Sequence, residues 1–236
     1  MGWMSKLPVG VVLALTACTP AAPPPEARVQ VAPGLVALPC DGVLKAHWRF
    51  YCSSRRNYVT TAADRSLRQV AAALAGRYPG TRVAYMEASW PHGTRPMPPH
   101  RSHGDGRQID LALFYTDREG RPLAGPPSVT GYGAFEPPRR EADRRCTGPD
   151  RRSKLNDRAD PPANRQWRLD TVRTRELVRL LSADPQVRRI FIEPHLKARL
   201  GFSADPKVRF AGCRAARHDD HIHVDFFQSA SFLTTD

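Results

Sequence analysis

The chain has 236 residues, of which 41% are hydrophobic and 25% are charged. This length suits one globular domain with extensions and leaves little room for two full domains, and a domain of this size can fold without a metal or a disulfide. Lys and Arg number 36 against 23 Asp and Glu, a formal net charge of +13, which is typical of proteins that bind nucleic acid or another anionic surface. No run of 18 apolar residues occurs, so no mature transmembrane helix is predicted.

The N-terminus has the features of an export signal. Lys6 precedes the apolar run LPVGVVLAL at 7–15, and small residues then lead to Cys18. The run is too short to span a bilayer but suits a secretory signal peptide. Export excludes nucleic acid as the partner of the basic surface. The predicted partner is then the cell wall or an anionic membrane.

The residues before Cys18 carry a more specific pattern. The tetrapeptide LTAC at 15–18 resembles the bacterial lipobox, whose cysteine is lipidated and becomes the first mature residue. We therefore expect residues 1–17 to be a lipoprotein signal peptide and residues 18–34 to be a lipidated Cys18 with a Pro-rich tether, because such composition prefers extended chain. In such lipoproteins the residue after the lipidated cysteine indicates the membrane. Thr19, in place of an aspartate, implies a periplasmic protein anchored in the outer membrane.

Residues 35–236 are predicted to form one α+β domain. Apolar residues recur at helical spacing in some segments and alternate as in strands in others. The predicted helices are 61–75, 170–181 and 194–200, and the predicted strands are 82–88, 109–115, 187–192 and 221–227. Residues 136–166 are rich in proline and arginine with almost no aliphatic residues, which indicates a basic insertion. It is either a solvated loop or a lid over an anionic substrate.

Four cysteines remain after Cys18, namely Cys40, Cys52, Cys146 and Cys213. No CxxC pair suggests a zinc site, and an even number in an oxidising compartment indicates two disulfides. Three connectivities are possible. Sequence proximity and loop context favour Cys40–Cys52 with Cys146–Cys213.

Five of the eight histidines fall into two short clusters, HRSHGDGRQID at 100–110 and HDDHIH at 218–223. Side chains two apart on a strand share a face, so His221 and His223 can converge on one centre. His103, Asp110 and His223 then form a set of two histidines and one aspartate. Three protein ligands with an open position are what a catalytic Zn²⁺ requires. The alternative is a group of buried histidines without a metal.

The two clusters carry a family resemblance. HxxH followed by six residues and Asp, and then HxxHxH, resembles the penicillin-insensitive murein endopeptidases, within the wider group of lysostaphin-type, D-Ala-D-Ala and hedgehog-like zinc proteins. The stretch SHGDGRQIDLALF at 102–114 is similar to the SxHxxGxAxD signature of that group, with altered spacing. Residues 169–200 are similar to the helix–strand–helix between the family's clusters. The resemblance covers roughly residues 80–227 apart from 136–166.

The resemblance implies a small antiparallel sheet with flanking helices and a zinc on the sheet face. It also implies hydrolysis of peptide cross-links in peptidoglycan. The metal-ligand positions fall on His103, Asp110 and His223, and the catalytic histidine falls on His221.

Four further residues take positions with supporting or catalytic roles. His100 and His218 match the family's additional histidines, which support the ligands. Asp170 is the best match for a catalytic aspartate between the clusters, but it suits a helix N-cap equally well. Asp220 lies where carboxypeptidase relatives carry an acidic general base. On a regular strand its side chain would face away from His223, whereas a strand that begins at His221 would free it to turn inward.

The sequence thus predicts a zinc endopeptidase that acts on peptidoglycan from a lipid anchor in the outer membrane. A D-Ala-D-Ala carboxypeptidase on the same fold is the first alternative. The second is a non-catalytic, wall-binding lipoprotein that holds a structural zinc.

Overall fold

The computed structural model describes residues 1, 30–140, 143, 145–146 and 165–228. The predicted signal peptide, the lipidation site Cys18 and most of the tether lie outside the described residues, as does most of the basic insertion. Among the residues that are described, no helix has the length and apolar character needed to cross a bilayer.

The described residues form short strands and a small number of helices. The strands are β1 (Leu35–Ala37), β2 (Leu44–Ala46), β3 (Tyr58–Thr60), β4 (Val83–Tyr85), β5 (Gln108–Ala112), β6 (Tyr115–Asp117), β7 (Trp167–Leu169), β8 (Val187–Phe191), β9 (Val208–Arg209) and β10 (His221–Phe226). The helices are α1 (Phe50–Ser53), α2 (Thr61–Arg77), α3 (Thr171–Ala183) and α4 (Pro194–Arg199). The predicted α+β class is confirmed.

The main sheet has six strands in the order β2-β4-β5-β10-β8-β9. Its central pairs are antiparallel, as predicted, but β2 with β4 and β8 with β9 are parallel. The expectation of an antiparallel sheet therefore holds for the central pairs and fails at the two edge pairs. The reason lies in the connections, because α2 lies between β2 and β4 and α4 lies between β8 and β9, and parallel neighbours need such crossovers. Two small sheets, β1-β3 and β6-β7, complete the described structure.

The two faces of the main sheet differ in chemistry. One face is apolar and shares a core with α2 and α3, to which β10 contributes Ile222, Val224 and Phe226. The alternate residues of β10 are His221, His223 and Asp225, and they face the other way. Loops cover that second face as well, so every residue of β5 and β10 is buried. Polar side chains on this face must therefore find partners within the protein.

Two predicted strands end where the backbone departs from regular pairing. The strand predicted at 82–88 stops at Tyr85, because Met86 N and Glu87 O both bond to the backbone of Asp110, with N–O distances of 2.8 and 2.9 Å. Two residues opposite one make a β-bulge, which turns the side chain of Glu87 toward the polar face. The strand predicted at 109–115 divides into β5 and β6 around Leu113.

The cysteine pairing is the one that the sequence favoured. Cys40 is bonded to Cys52 and Cys146 to Cys213. The second bond ties the described part of the basic insertion to the segment that precedes the second histidine cluster.

Candidate metal centre

The register of β5 against β10 brings the two histidine clusters together. Asp110 lies directly opposite His223, and Ala112 lies opposite His221. Opposed residues of an antiparallel pair point to the same face, with Cβ atoms roughly 5 Å apart. Asp110 and His223 are thus neighbours through the sheet itself.

His103 reaches the same place from the loop between β4 and β5. Its Nδ1 is 2.8 Å from the carbonyl oxygen of Ala88. The Ser89 hydroxyl accepts hydrogen bonds from the amides of Gly104 and Gly106, at 3.2 and 2.7 Å. Gly104 has φ +138°, and a Cβ there would lie 2.1 Å from the carbonyl oxygen of Thr94, so only glycine fits. These contacts fix the loop and with it the imidazole of His103.

Three predicted ligand atoms converge in the interior. His103 Nε2 lies 3.2 Å from His223 Nδ1 and 3.3 Å from Asp110 Oδ1, and the last two atoms are 2.8 Å apart. Ligand atoms about 2.0–2.2 Å from one tetrahedral zinc would be roughly 3.4 Å from each other. The three groups are therefore close to the separation that a bound cation requires.

The outward nitrogens of both histidines have acceptors. His103 Nδ1 donates to Ala88, and His223 Nε2 lies 3.2 Å from Asp225 Oδ1. Asp225 is in turn held by the Arg189 guanidinium at 2.9 Å. The carbonyl oxygen of Ala88 can only accept, so His103 carries its proton on Nδ1 and directs the lone pair of Nε2 at the Asp110 carboxylate, whereas both nitrogens of His223 face a carboxylate. Such a convergence of lone pairs needs a proton or a cation between them, so the donor set fits a metal ion.

His100 belongs to the same group. Its Nδ1 is 3.7 Å from Asp110 Oδ2, and one ligand atom each of His100, His103 and Asp110 lies within 4.8 Å of the others. This His/His/Asp group could bind a metal ion. His100 was expected only to support the ligands, yet it stands as a candidate ligand itself. Imidazole and carboxylate suit several divalent first-row metals, so the donor types do not define which one.

The electrostatics reflect the burial of this group. Burial alone would raise the pKa of Asp110, but the imidazoles of His103 and His221 outweigh it and hold that pKa well below its usual range. Burial lowers the pKa of His103 against the opposing effect of Asp110. For His223 the effect of burial is outweighed by Asp110 and Asp225, which raise its pKa to about 9.

His221 and Asp220 lie beside the centre as a pair. Because β10 begins at His221, Asp220 is free to turn inward, and its Oδ1 is 2.5 Å from His221 Nδ1. Its Oδ2 accepts a hydrogen bond from the amide of Gly133 at 2.6 Å. The opposite nitrogen of His221, Nε2, lies 3.7 Å from Asp110 Oδ1. Burial would lower the pKa of His221, but Asp110 and Asp220 raise it. Asp220 therefore acts on the centre through His221.

His218 supports this arrangement by packing. Its ring centroid lies 4.9 Å from that of His221 and 5.6 Å from that of His223. Its backbone amide donates to Glu193 Oε1 at 3.2 Å. The structure thus places His218 beside the centre, and its supporting role stays a prediction.

Asp170 is not brought to the centre by any described hydrogen bond or ion pair. One carboxylate oxygen accepts from the amides of Val172 and Arg173, at 3.1 and 3.0 Å, and the other pairs with the Arg173 guanidinium at 2.6 Å. Asp170 is the N-cap of α3. Of its two predicted interpretations, the structure supports the cap.

Three residues near the centre were not singled out from the sequence. Tyr132 donates its hydroxyl hydrogen to Asp110 Oδ2 at 2.6 Å, and its ring stands edge-on to His221 with centroids 5.1 Å apart. Glu87 pairs with His100 and with Arg56, and Asp225 orients His223. The position of Asp225 could have been predicted from the sequence, because it continues the alternation of His221 and His223. The positions of Tyr132 and Glu87 could not, since a loop and a β-bulge bring them in.

Neither the family profiles nor the curated proteins compared with the chain give a match.

Proposed function

We propose that this protein is a zinc-dependent endopeptidase that cleaves peptide cross-links of peptidoglycan. The observation that carries the proposal is the convergence of His103, Asp110 and His223 beside His221, whose imidazole is oriented by a buried aspartate. The resemblance of the two histidine clusters to murein endopeptidases supports the same reaction class.

The donor set divides into groups that hold the metal and a group that handles protons. His103, Asp110 and His223 would hold Zn²⁺, and His100 is close enough to Asp110 to join them. A bound Zn²⁺ supplies Lewis-acid chemistry, which polarises a carbonyl group and acidifies water.

His221 then has the position of a general acid–base group. Its Nδ1 is hydrogen-bonded to Asp220, which fixes the tautomer and leaves Nε2 directed at the centre. The imidazole can hold a proton there and deliver it to the amine that leaves when the peptide bond breaks. Among the described contacts, Asp220 reaches the centre only through His221, so we assign it the role of positioning His221 and not that of the base. This weakens the carboxypeptidase alternative, in which that aspartate is the base.

The proposed site of action is the cell wall. Two disulfides are compatible with an exported protein. The lipobox-like LTAC at 15–18 and the Pro-rich tether support an anchor at Cys18 in the outer membrane, facing the peptidoglycan of the periplasm. The net charge of +13 favours association with an anionic polymer.

The proposal is tested by digestion of cross-linked muropeptides with the purified chain, with Zn²⁺ added and with a chelator. We expect loss of cross-linked dimers, dependence on Zn²⁺, and products identified by mass spectrometry as monomers. Release of terminal D-alanine alone would establish the carboxypeptidase instead. Intact muropeptides together with tightly bound zinc would establish the non-catalytic lipoprotein. The exposed His92→Ala is the control, because it removes an imidazole outside the centre.

A further inference from the structure

A cavity lies apart from the metal centre. It has a volume of about 310 Å³, at the lower end of the range of ligand pockets. Ala84 and Ala112 of the sheet line it, as does the loop segment 122–126. Because both sheet residues are alanine, the strands there leave space that larger side chains would fill.

Three of the residues that line this cavity, Lys45, Ala84 and Ala112, lie on the same face of the main sheet as the metal centre. Lys45 of β2 pairs with Ala84 of β4, and the register of β4 against β5 places Ala84 beside Ala112. Ala112 is in turn opposite His221. Lys45, two alanines and His221 therefore form one row across four strands, with the cavity over the alanines.

The charges around the cavity are one-sided. Three cations line it, and no acidic residue does so among the described residues. Arg173 is already paired with Asp170. Within that same part of the chain, Lys45 and Arg82 have no carboxylate at ion-pair distance. Lys45 is also half-buried, and a half-buried ammonium without a counter-charge attracts an anion.

We propose that this cavity binds the C-terminal carboxylate of a short peptide. Lys45 and Arg82 would bind the carboxylate, and the alanines with the Pro-containing wall would contact small apolar side chains. A site for inorganic phosphate would need polar groups on all sides, whereas Leu113, Phe114 and Leu123 make much of this wall apolar. A peptide that ends in a carboxylate and carries small apolar side chains matches both the cations and the apolar residues of the lining.

The position of the cavity also predicts how far the bound carboxylate lies from the cleaved bond. This step rests on the proposed peptidase function. Neighbouring strands are about 4.8 Å apart, so Lys45 and His221 are separated by roughly 14 Å across three strand spacings. An extended peptide covers that distance in about four residues. The free carboxylate would thus lie about four residues from the bond that is cleaved at the centre.

Binding is measured by titration calorimetry on the full chain in the presence of a chelator, so that neither metal nor cleavage contributes. The probes are acetyl-Ala-Ala with a free carboxylate, its C-terminal amide, and inorganic phosphate. We expect the free acid to bind at least tenfold more tightly than the amide, and phosphate to bind more weakly than the free acid. Lys45→Met should weaken the acid at least tenfold, whereas Lys45→Arg should restore most of the affinity.

Arg82→Leu and Arg65→Leu form a matched pair, since Arg65 is exposed on α2 and lies on the other face of the sheet. Only Arg82→Leu should weaken binding. Equal affinity for acid and amide, or unchanged affinity in folded Lys45→Met, would overturn the proposal. Phosphate binding as tightly as the peptide would show a simple anion site and overturn it as well. Because the assay excludes metal and turnover, its failure would leave the proposed peptidase activity standing, and loss of that activity would leave this site standing.

Discussion

Asp110 is the residue on which the candidate centre depends. It is fully buried, and a buried carboxylate costs several kcal/mol unless it is paired. Imidazoles of His103, His221 and His223 and the hydroxyl of Tyr132 surround it. Burying this many ionisable groups costs more folding free energy than an apolar core would. This favours a chemical role for the group over a structural one.

His221→Ala and His223→Ala should separate catalyst from ligand. His223→Ala removes one inward donor, so both zinc affinity and cross-link cleavage should be lost. His221→Ala leaves His103, Asp110 and His223 in place, so zinc should remain while turnover falls by about 10²–10⁴-fold, the usual contribution of one positioned acid–base group. Zinc content by atomic absorption and muropeptide cleavage are measured on the same preparations.

The matched control for both variants is His92→Ala, which should keep zinc and activity. Loss of zinc from His221→Ala would make His221 a ligand. Full activity of the same variant would remove it from the chemistry altogether.

The stability of the metal-free protein should depend on pH through His223. Its pKa in the folded state is about 9, raised above the ordinary histidine value of 6.5 because Asp110 and Asp225 outweigh burial. A histidine with a raised folded pKa stabilises the fold fully below its unfolded pKa and loses that contribution as pH rises through the folded value. In chelator, the free energy of unfolding should therefore fall between pH 6.5 and 9. Urea titrations should show a steeper fall for the wild type than for His223→Ala, and parallel curves would contradict the assignment.

At the scale of elements, the sequence predicted what depends on alternation and short-range spacing. The alternation in HIHVDF was enough to put His221 and His223 on one face of a strand. The β-bulge at Met86 and Glu87 was not predictable, because it depends on pairing with β5, a strand more than twenty residues away. Whether Asp220 turns inward depended on one residue at the start of β10. Such boundaries are set by tertiary contacts and not by local propensity.

The helix α3 gives a test of the two interpretations of Asp170. Asp170→Ala removes the acceptor for two helix amides and should cost about 0.5–2 kcal/mol of stability. Asp170→Asn keeps an N-cap oxygen, so its stability should stay closer to that of the wild type. Both variants should retain wild-type cleavage per folded molecule, because the capping carboxylate has no described contact with the centre. A stable Asp170→Asn with activity reduced a hundredfold or more would return Asp170 to the catalytic residues.

For the whole molecule, the anchor should determine location and not fold. Cys18→Ala should move the protein from the membrane to the soluble fraction of cells that express it. Thermal unfolding of the released protein should be unchanged, since the cysteines of the domain pair among themselves as Cys40–Cys52 and Cys146–Cys213. The control is Cys40→Ser together with Cys52→Ser, which should lower stability and leave the membrane association intact. Membrane association unchanged in Cys18→Ala would contradict lipidation.

A metal that binds only the folded state should also stabilise the molecule as a whole. At a free Zn²⁺ concentration a hundred times the Kd, the expected gain is about 2.7 kcal/mol. For a domain of 150–250 residues, 1 kcal/mol corresponds to about 2–4 °C in Tm, so zinc should raise Tm by about 5–10 °C over the chelated protein. The shift in Tm should be absent in His223→Ala and present in His221→Ala. This comparison measures zinc binding through stability, independently of cleavage. Mg²⁺ prefers an octahedral shell of oxygen ligands and should give no shift. An equal shift with Mg²⁺, or none with Zn²⁺, would mean that these imidazoles do not form a zinc site.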